Sequence, residues 1–201
     1  MSSLTTEHPI DRSEVPLSAM TPCVLTDLTD LPRVGFRGQQ SAQYLLARGF
    51  TLPEAPNRAV TQSDGSHLAR LSQTEYLILG SVHDRGERIA DEEARWELDH
   101  SANYLLPRQD SHAWLRLSGM CIDQIMAKLC GVDLRASAFL QGAVAQTSAA
   151  RINVIVINLG SQEVPTFQLL FDRASREYFT SAVLDAMAEF GGQAMTMDEP
   201  Q

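Results

Sequence analysis

The sequence predicts an α+β fold of two pseudo-repeated lobes, each an antiparallel sheet with helices on one face. Three observations predict it. The same order of elements occurs twice: an alternating strand, a glycine, a short helix, another glycine, a turn-linked hairpin and a closing apolar strand. Gly38, Gly49 and Gly80 of the first copy answer to Gly119, Gly131 and Gly160 of the second, and such internal repetition sets an architecture before any chemistry is found. The chain of 201 residues, 44 % of them hydrophobic, is long enough to bury its own core without disulfide or metal.

Residues 1–24 mix Ser, Thr, Pro and charge without periodicity and are expected to form an extended or disordered arm. The first lobe is expected over 25–82. In Arg33 to Arg37, Val34 and Phe36 point to one face and Arg33 and Arg37 to the other, the alternation of a half-buried strand. Helix one carries Ala42, Leu45 and Leu46 on a stripe and stops at Gly49. A hairpin from Arg58 to Leu71 turns at Ser63-Asp64-Gly65, which supplies a local acceptor and tolerance of positive φ. Tyr76 to Gly80 closes the copy.

Residues 83–112 are expected as a charged connector. Asp84 to Asp99 is dense in Asp, Glu and Arg around Trp96 and Leu98, a solvated stretch compatible with a helix. The second lobe is expected over 113–192. Leu115 and Leu117 take the inward strand positions, and helix two stripes Ile122, Ile125, Met126 and Leu129 before Gly131. Gly142 to Thr147 opens a hairpin turning at Ser148-Ala149-Ala150, and Ile152 to Leu159 is read as the closing strand. It is apolar on both faces, which predicts a central place covered on both sides. Phe167, Leu169 and Phe171 align on a further strand. A helix from about Ala174 to Phe190, striped by Tyr178, Phe179, Ala182, Val183, Ala186, Met187 and Phe190, ends at Gly191-Gly192. Residues 193–201 form a patternless tail.

A formal net charge of −9 and a pI near 4.9 leave no electrostatic footprint for a phosphate backbone or an anionic membrane. Cys23, Cys121 and Cys130 are odd in number and lack metal spacing, so reduced core thiols in the cytoplasm are expected. Residues 1–20 hold Glu7, Asp11 and Glu14 and no apolar run, which argues against a secretory signal. The longest apolar run, broken by Asn153 and Asn158, is far shorter than a membrane span of roughly 20 residues.

The chain carries few chemistry-bearing motifs. Gly35-Phe36-Arg37-Gly38 has neither the dinucleotide pattern nor a P-loop lysine and reads as a tight strand-to-helix turn. Cys121 opens a helix, where a thiol's pKa is lowered, yet no elbow or partner accompanies it. His8, His67, His83, His100 and His112 fall on separate elements without ligand spacing. The carboxylate pairs Asp27 with Asp30 and Glu92 with Glu93 read as a turn and a charged surface. Arg37 and Arg151 are the residual candidates, because a fixed guanidinium beside a strand grips a carboxylate bidentately, including one on another subunit; the alternative is a solvated strand edge. No catalytic, cofactor-binding or metal residue is assigned.

Specific strings go further. Phe139-Leu140-Gln141-Gly142-Ala143-Val144-Ala145-Gln146-Thr147 followed by Ala149-Ala150-Arg151-Ile152, with Leu115-Arg116-Leu117-Ser118-Gly119 and Leu129-Cys130-Gly131-Val132-Asp133-Leu134 upstream, resembles the gamma subunit of heterotetrameric sarcosine oxidase. Phe167 to Asp172 and Ala188-Glu189-Phe190 fit as well, and the likeness runs from about Leu28 to Gly191. It implies a fold like that of the glycine-cleavage T-protein and a cytoplasmic complex with alpha, beta and delta subunits. Such a complex demethylates sarcosine oxidatively to glycine, passes the one-carbon unit to tetrahydrofolate and produces hydrogen peroxide. The resemblance places FAD, FMN, NAD, tetrahydrofolate and zinc in the other subunits and makes this chain a non-catalytic structural subunit. The alternative is a small folate-binding, aminomethyltransferase-like protein acting alone.

Overall fold

A computed structural model describes residues 23–195. The arm at 1–22, with His8, and the tail beyond Met195 lie outside the described residues. In chain order the strands are β1 (Val24–Asp27), β2 (Arg33–Arg37), β3 (Arg58–Thr61), β4 (His67–Arg70), β5 (Glu75–Leu79), β6 (Tyr104–Pro107), β7 (His112–Ser118), β8 (Val144–Ala149), β9 (Ile152–Asn158), β10 (Thr166–Asp172) and β11 (Gln193–Met195). The helices are α1 (Ser41–Ala47), α2 (Glu87–Ala94), α3 (Ile122–Ala127) and α4 (Arg176–Met187). One sheet runs β3-β4-β5-β2-β6 and the other β11-β1-β7-β10-β9-β8, every pairing antiparallel except β1 with β11. The expected α+β class is observed.

Strand alternation stacks four layers: helices, sheet, sheet, helices. In β5, Tyr76 and Ile78 face outward into a core shared with Leu45 of α1 and Ile89 of α2, while Leu77 and Leu79 face the second sheet. In β10, Phe167, Leu169 and Phe171 pack outward against Ile125 and Met126 of α3 and Phe179 and Val183 of α4, and Leu170 faces inward. The middle core between the sheets, with Trp114 of β7 at its centre, is thus built by every second residue of strands that bury both faces.

The two sheets match when β3-β4-β5-β2-β6 is laid on β8-β9-β10-β7-β1. This corrects one alignment. Ile152–Asn158 pairs with both β8 and β10 and is the second limb of the hairpin, the counterpart of β4; the closing strand is β10. Apolar content alone does not separate the two, because β9 and β10 both bury two faces. The expectation of cover on both sides holds: Val154 and Val156 join the helix-side core and Ile157 the middle core.

The halves interlock. Strand β1 pairs with β7, not with its sequence neighbour β2. The charged stretch 83–112 supplies α2 and then β6, which pairs with β2. Beyond Gly192, β11 lies parallel to β1. The hairpin turn also shifts: Ala149 still pairs with Ile152, and the loop is Ala150-Arg151, both with positive φ (47° and 66°). That is the backbone of a tight two-residue turn, made without the usual Asn or Gly.

Candidate functional site

The residue that the layering leaves without a task is Arg116. In β7, Ala113, Leu115 and Leu117 face the helices, so Trp114 and Arg116 face the other sheet. Register places Arg116 between Thr26 of β1 and Gln168 of β10, and the next row holds Val24, Ser118 and Thr166. These two rows line a cavity of about 550 Å³, to which the first sheet contributes His67 and the flanking loops Met120, Leu159 and Val164.

Arg116 is half-buried, and its guanidinium makes no hydrogen bond, ion pair or ring contact with any described residue. Burial lowers its pKa, and it stays a cation at neutral pH. Gln168 is held by the Trp114 indole, which donates to its side-chain oxygen at 2.7 Å, so the donor it has left is its amide N–H2. The Thr166 hydroxyl lies 3.3 Å from that of Ser118. His67 contacts Thr61 Oγ1 through Nδ1 at 3.0 Å, and burial pulls its pKa down to about 4, leaving a neutral ring. Glu163, the cavity's carboxylate, stands at the exposed rim.

A second concavity of about 930 Å³ is an open groove along β8, β9 and β10, edged by Arg151, His112 and Asp172. Burial, then the charges of Arg108 and Arg33, hold His112 down to about 4.

The structure separates the sequence candidates. Arg37 is 67 % exposed and 3.9 Å from Glu75, whose other oxygen receives Arg108 Nη2 at 2.7 Å. Arg151 sits exposed in its turn, remote in topology from Arg37. Gly35 lies within β2, and at the turn itself the space a side chain on Gly38 would take is filled by the Ala102 backbone carbonyl, which makes it a tight strand-to-helix turn. Cys121 is buried at the start of α3, and burial raises the pKa of Cys23, with which it interacts, to about 11. Asp27 binds Arg176 and accepts from the Thr29 N–H at 2.8 Å; burial raises its pKa, but those hydrogen bonds outweigh it and the net shift is down. Glu92 accepts from Arg48 Nε at 2.7 Å, Asp30 is exposed, and burial raises Glu93. His67 and His112 line different cavities, and His83 and His100 are exposed. Among the described residues no group of three or more His, Cys, Asp or Glu side chains is placed to hold a metal, and no helix is long and apolar enough to cross a membrane.

Sequence reasoning missed Arg33 and Arg116. Both lie on the polar face of an alternating strand, which reads as solvent-facing; that face is the buried seam between two sheets. The signal lay in Trp114, since a strand that sends Trp to one side and Leu to the other has no solvent face.

No known family profile matches the sequence, and no curated protein matches it. Among solved structures, a chain of the heterotetrameric sarcosine oxidase from Corynebacterium sp. U-96, in complex with pyrrole 2-carboxylate, is similar at 20 % identity and a TM-score of 0.66, over 86 % of this chain and 87 % of that one. The glycine cleavage system aminomethyltransferase T from Bartonella henselae is similar at 12 % identity and a TM-score of 0.63, over 89 % of this chain but 49 % of that one. The fold is T-protein-like. This chain spans about half the length of the aminomethyltransferase it resembles.

Proposed function

We propose that this chain is a non-catalytic docking subunit of a multi-chain amine oxidase of the heterotetrameric sarcosine oxidase type, the gamma position, with larger subunits carrying the flavin, folate and metal chemistry. The observation that carries this reading is one of size. The chain matches 87 % of one polypeptide of such an assembly, whereas it matches 49 % of the transferase that shares its fold.

Two features support it. Strand β6 is a sheet edge among the described residues; Tyr104 at its start is 53 % exposed and Leu98, shortly before it in sequence, 68 %. An unpaired edge beside large apolar side chains is a template for a partner chain. The Arg116 cavity is poorly matched to a pterin: paired ring N–H donors call for a carboxylate facing them, and the floor offers donors while Glu163 stays at the rim. That weighs against a lone folate-binding aminomethyltransferase.

The test is co-expression with the companion chains of the complex. Leu98→Lys with Tyr104→Lys should abolish recovery of this chain in the assembly without unfolding it. Folate titration of the isolated chain should show no saturation; tight folate binding would favour the transferase reading.

A further inference from the structure

We propose that the cavity floored by Arg116 binds a small organic monocarboxylate with an apolar body. The inference does not rest on the docking role, since β6 belongs to the other sheet from Arg116.

A guanidinium half-removed from water and given no side-chain partner among the described residues carries a desolvation cost, which a bound anion relieves. Its planar fork matches the two oxygens of a carboxylate. The neighbours add donors rather than competing acceptors. Gln168, its oxygen already committed to Trp114, has its amide N–H2 to give, and Thr26 flanks Arg116 on the other side of the same row. The Ser118 hydroxyl stands one row along.

Charge counting selects a monoanion. Arg116 is the cavity's cation, His67 is neutral, and no ion pair joins Glu163 to Arg116, so a doubly charged phosphate finds one positive group and a repelling rim. The walls select the rest of the ligand: Val24, Met120, Leu159, Val164 and Met195 surround the polar floor with apolar surface. A charged head on a polar floor with an apolar body against such walls is the common design of a small-molecule site.

The experiment uses the purified full-length chain, titrated calorimetrically with benzoate, benzamide and inorganic phosphate. Benzoate is expected to saturate, with benzamide and phosphate at least about tenfold weaker. Arg116→Gln should weaken benzoate by at least about tenfold, and Arg116→Lys by an intermediate factor, because the charge stays and the fork is lost. If Arg116→Gln does not fold, Arg116→Lys and the benzoate-to-benzamide ratio decide. Failure of benzoate to saturate, equal binding of benzamide or phosphate, or unchanged benzoate affinity in either variant overturns the assignment.

Discussion

The indole N–H of Trp114 donates to the side-chain oxygen of Gln168 at 2.7 Å, across neighbouring strands and inside the seam between the sheets. This bond satisfies a buried indole, and it also turns the donor end of Gln168 away from Trp114, beside Arg116. Gln168→Leu leaves the indole without an acceptor and should destabilise the protein by about 1–3 kcal/mol, the cost of an orphaned buried donor. Urea unfolding measures it; an unchanged midpoint would mean the bond carries no net stability.

Arg33 and Arg37 sit on the same face of one strand and should behave oppositely. Arg33 is fully buried and donates to Thr29 O at 2.8 Å, Leu31 O at 2.9 Å, Gln109 O at 3.1 Å and His112 O, clamping the loop before β2 to the loop before β7. Arg33→Met strands several carbonyls at once and should cost more than about 3 kcal/mol. Arg37→Met loses an exposed pair at 3.9 Å and should change stability by less than about 0.5 kcal/mol. Equal effects in denaturant melts would contradict the layering.

Stability should fall as pH drops from about 6.5 to about 4. Burial of His67, and burial with the Arg108 and Arg33 charges at His112, hold both folded pKa values down to about 4, below the unfolded value of 6.5. In that window the unfolded chain binds more protons than the folded one, so acid favours unfolding. The carboxyls lowered in the folded state, among them Asp27, Asp64 and Asp133, act at lower pH, below the ordinary value of 3.8. The double variant His67→Gln, His112→Gln should flatten the urea midpoint against pH between those limits.

The turn at Ala150-Arg151 holds two residues with side chains in a left-handed conformation. Ala150→Asn with Arg151→Gly supplies the residues that this turn favours and should stabilise the fold by about 1 kcal/mol. A thermal melt checks it, and a lower Tm would show that Arg151 makes a structural contribution its exposure hides.

Much of the fold was legible in the chain. The apolar stripe of α3, the Ser63-Asp64-Gly65 turn and the two-sided burial of Ile152–Asn158 follow from periodicity and local backbone preference; the stripe expected on α4 holds at Phe179, Val183, Ala186 and Met187 but not at Tyr178, which is 56 % exposed. Two things did not. Pairing between distant segments, β1 with β7 and β6 with β2, leaves no local pattern, because short strands record only which face is apolar. The burial of Arg33 and Arg116 was hidden for a related reason: an arginine on an alternating strand looks solvent-exposed until a second sheet is known to cover that face. The site therefore emerged from the packing of the sheets, while Arg37 and Arg151, conspicuous in sequence, remained at the surface and apart.

The most direct measurement is the composition and mass of the native assembly recovered on the tagged full-length chain, with its absorbance spectrum. A stoichiometric complex with larger companion chains is expected, with a flavin spectrum that leaves with those chains when they are dissociated. A solitary chain that turns over substrate or holds folate tightly by itself would contradict it.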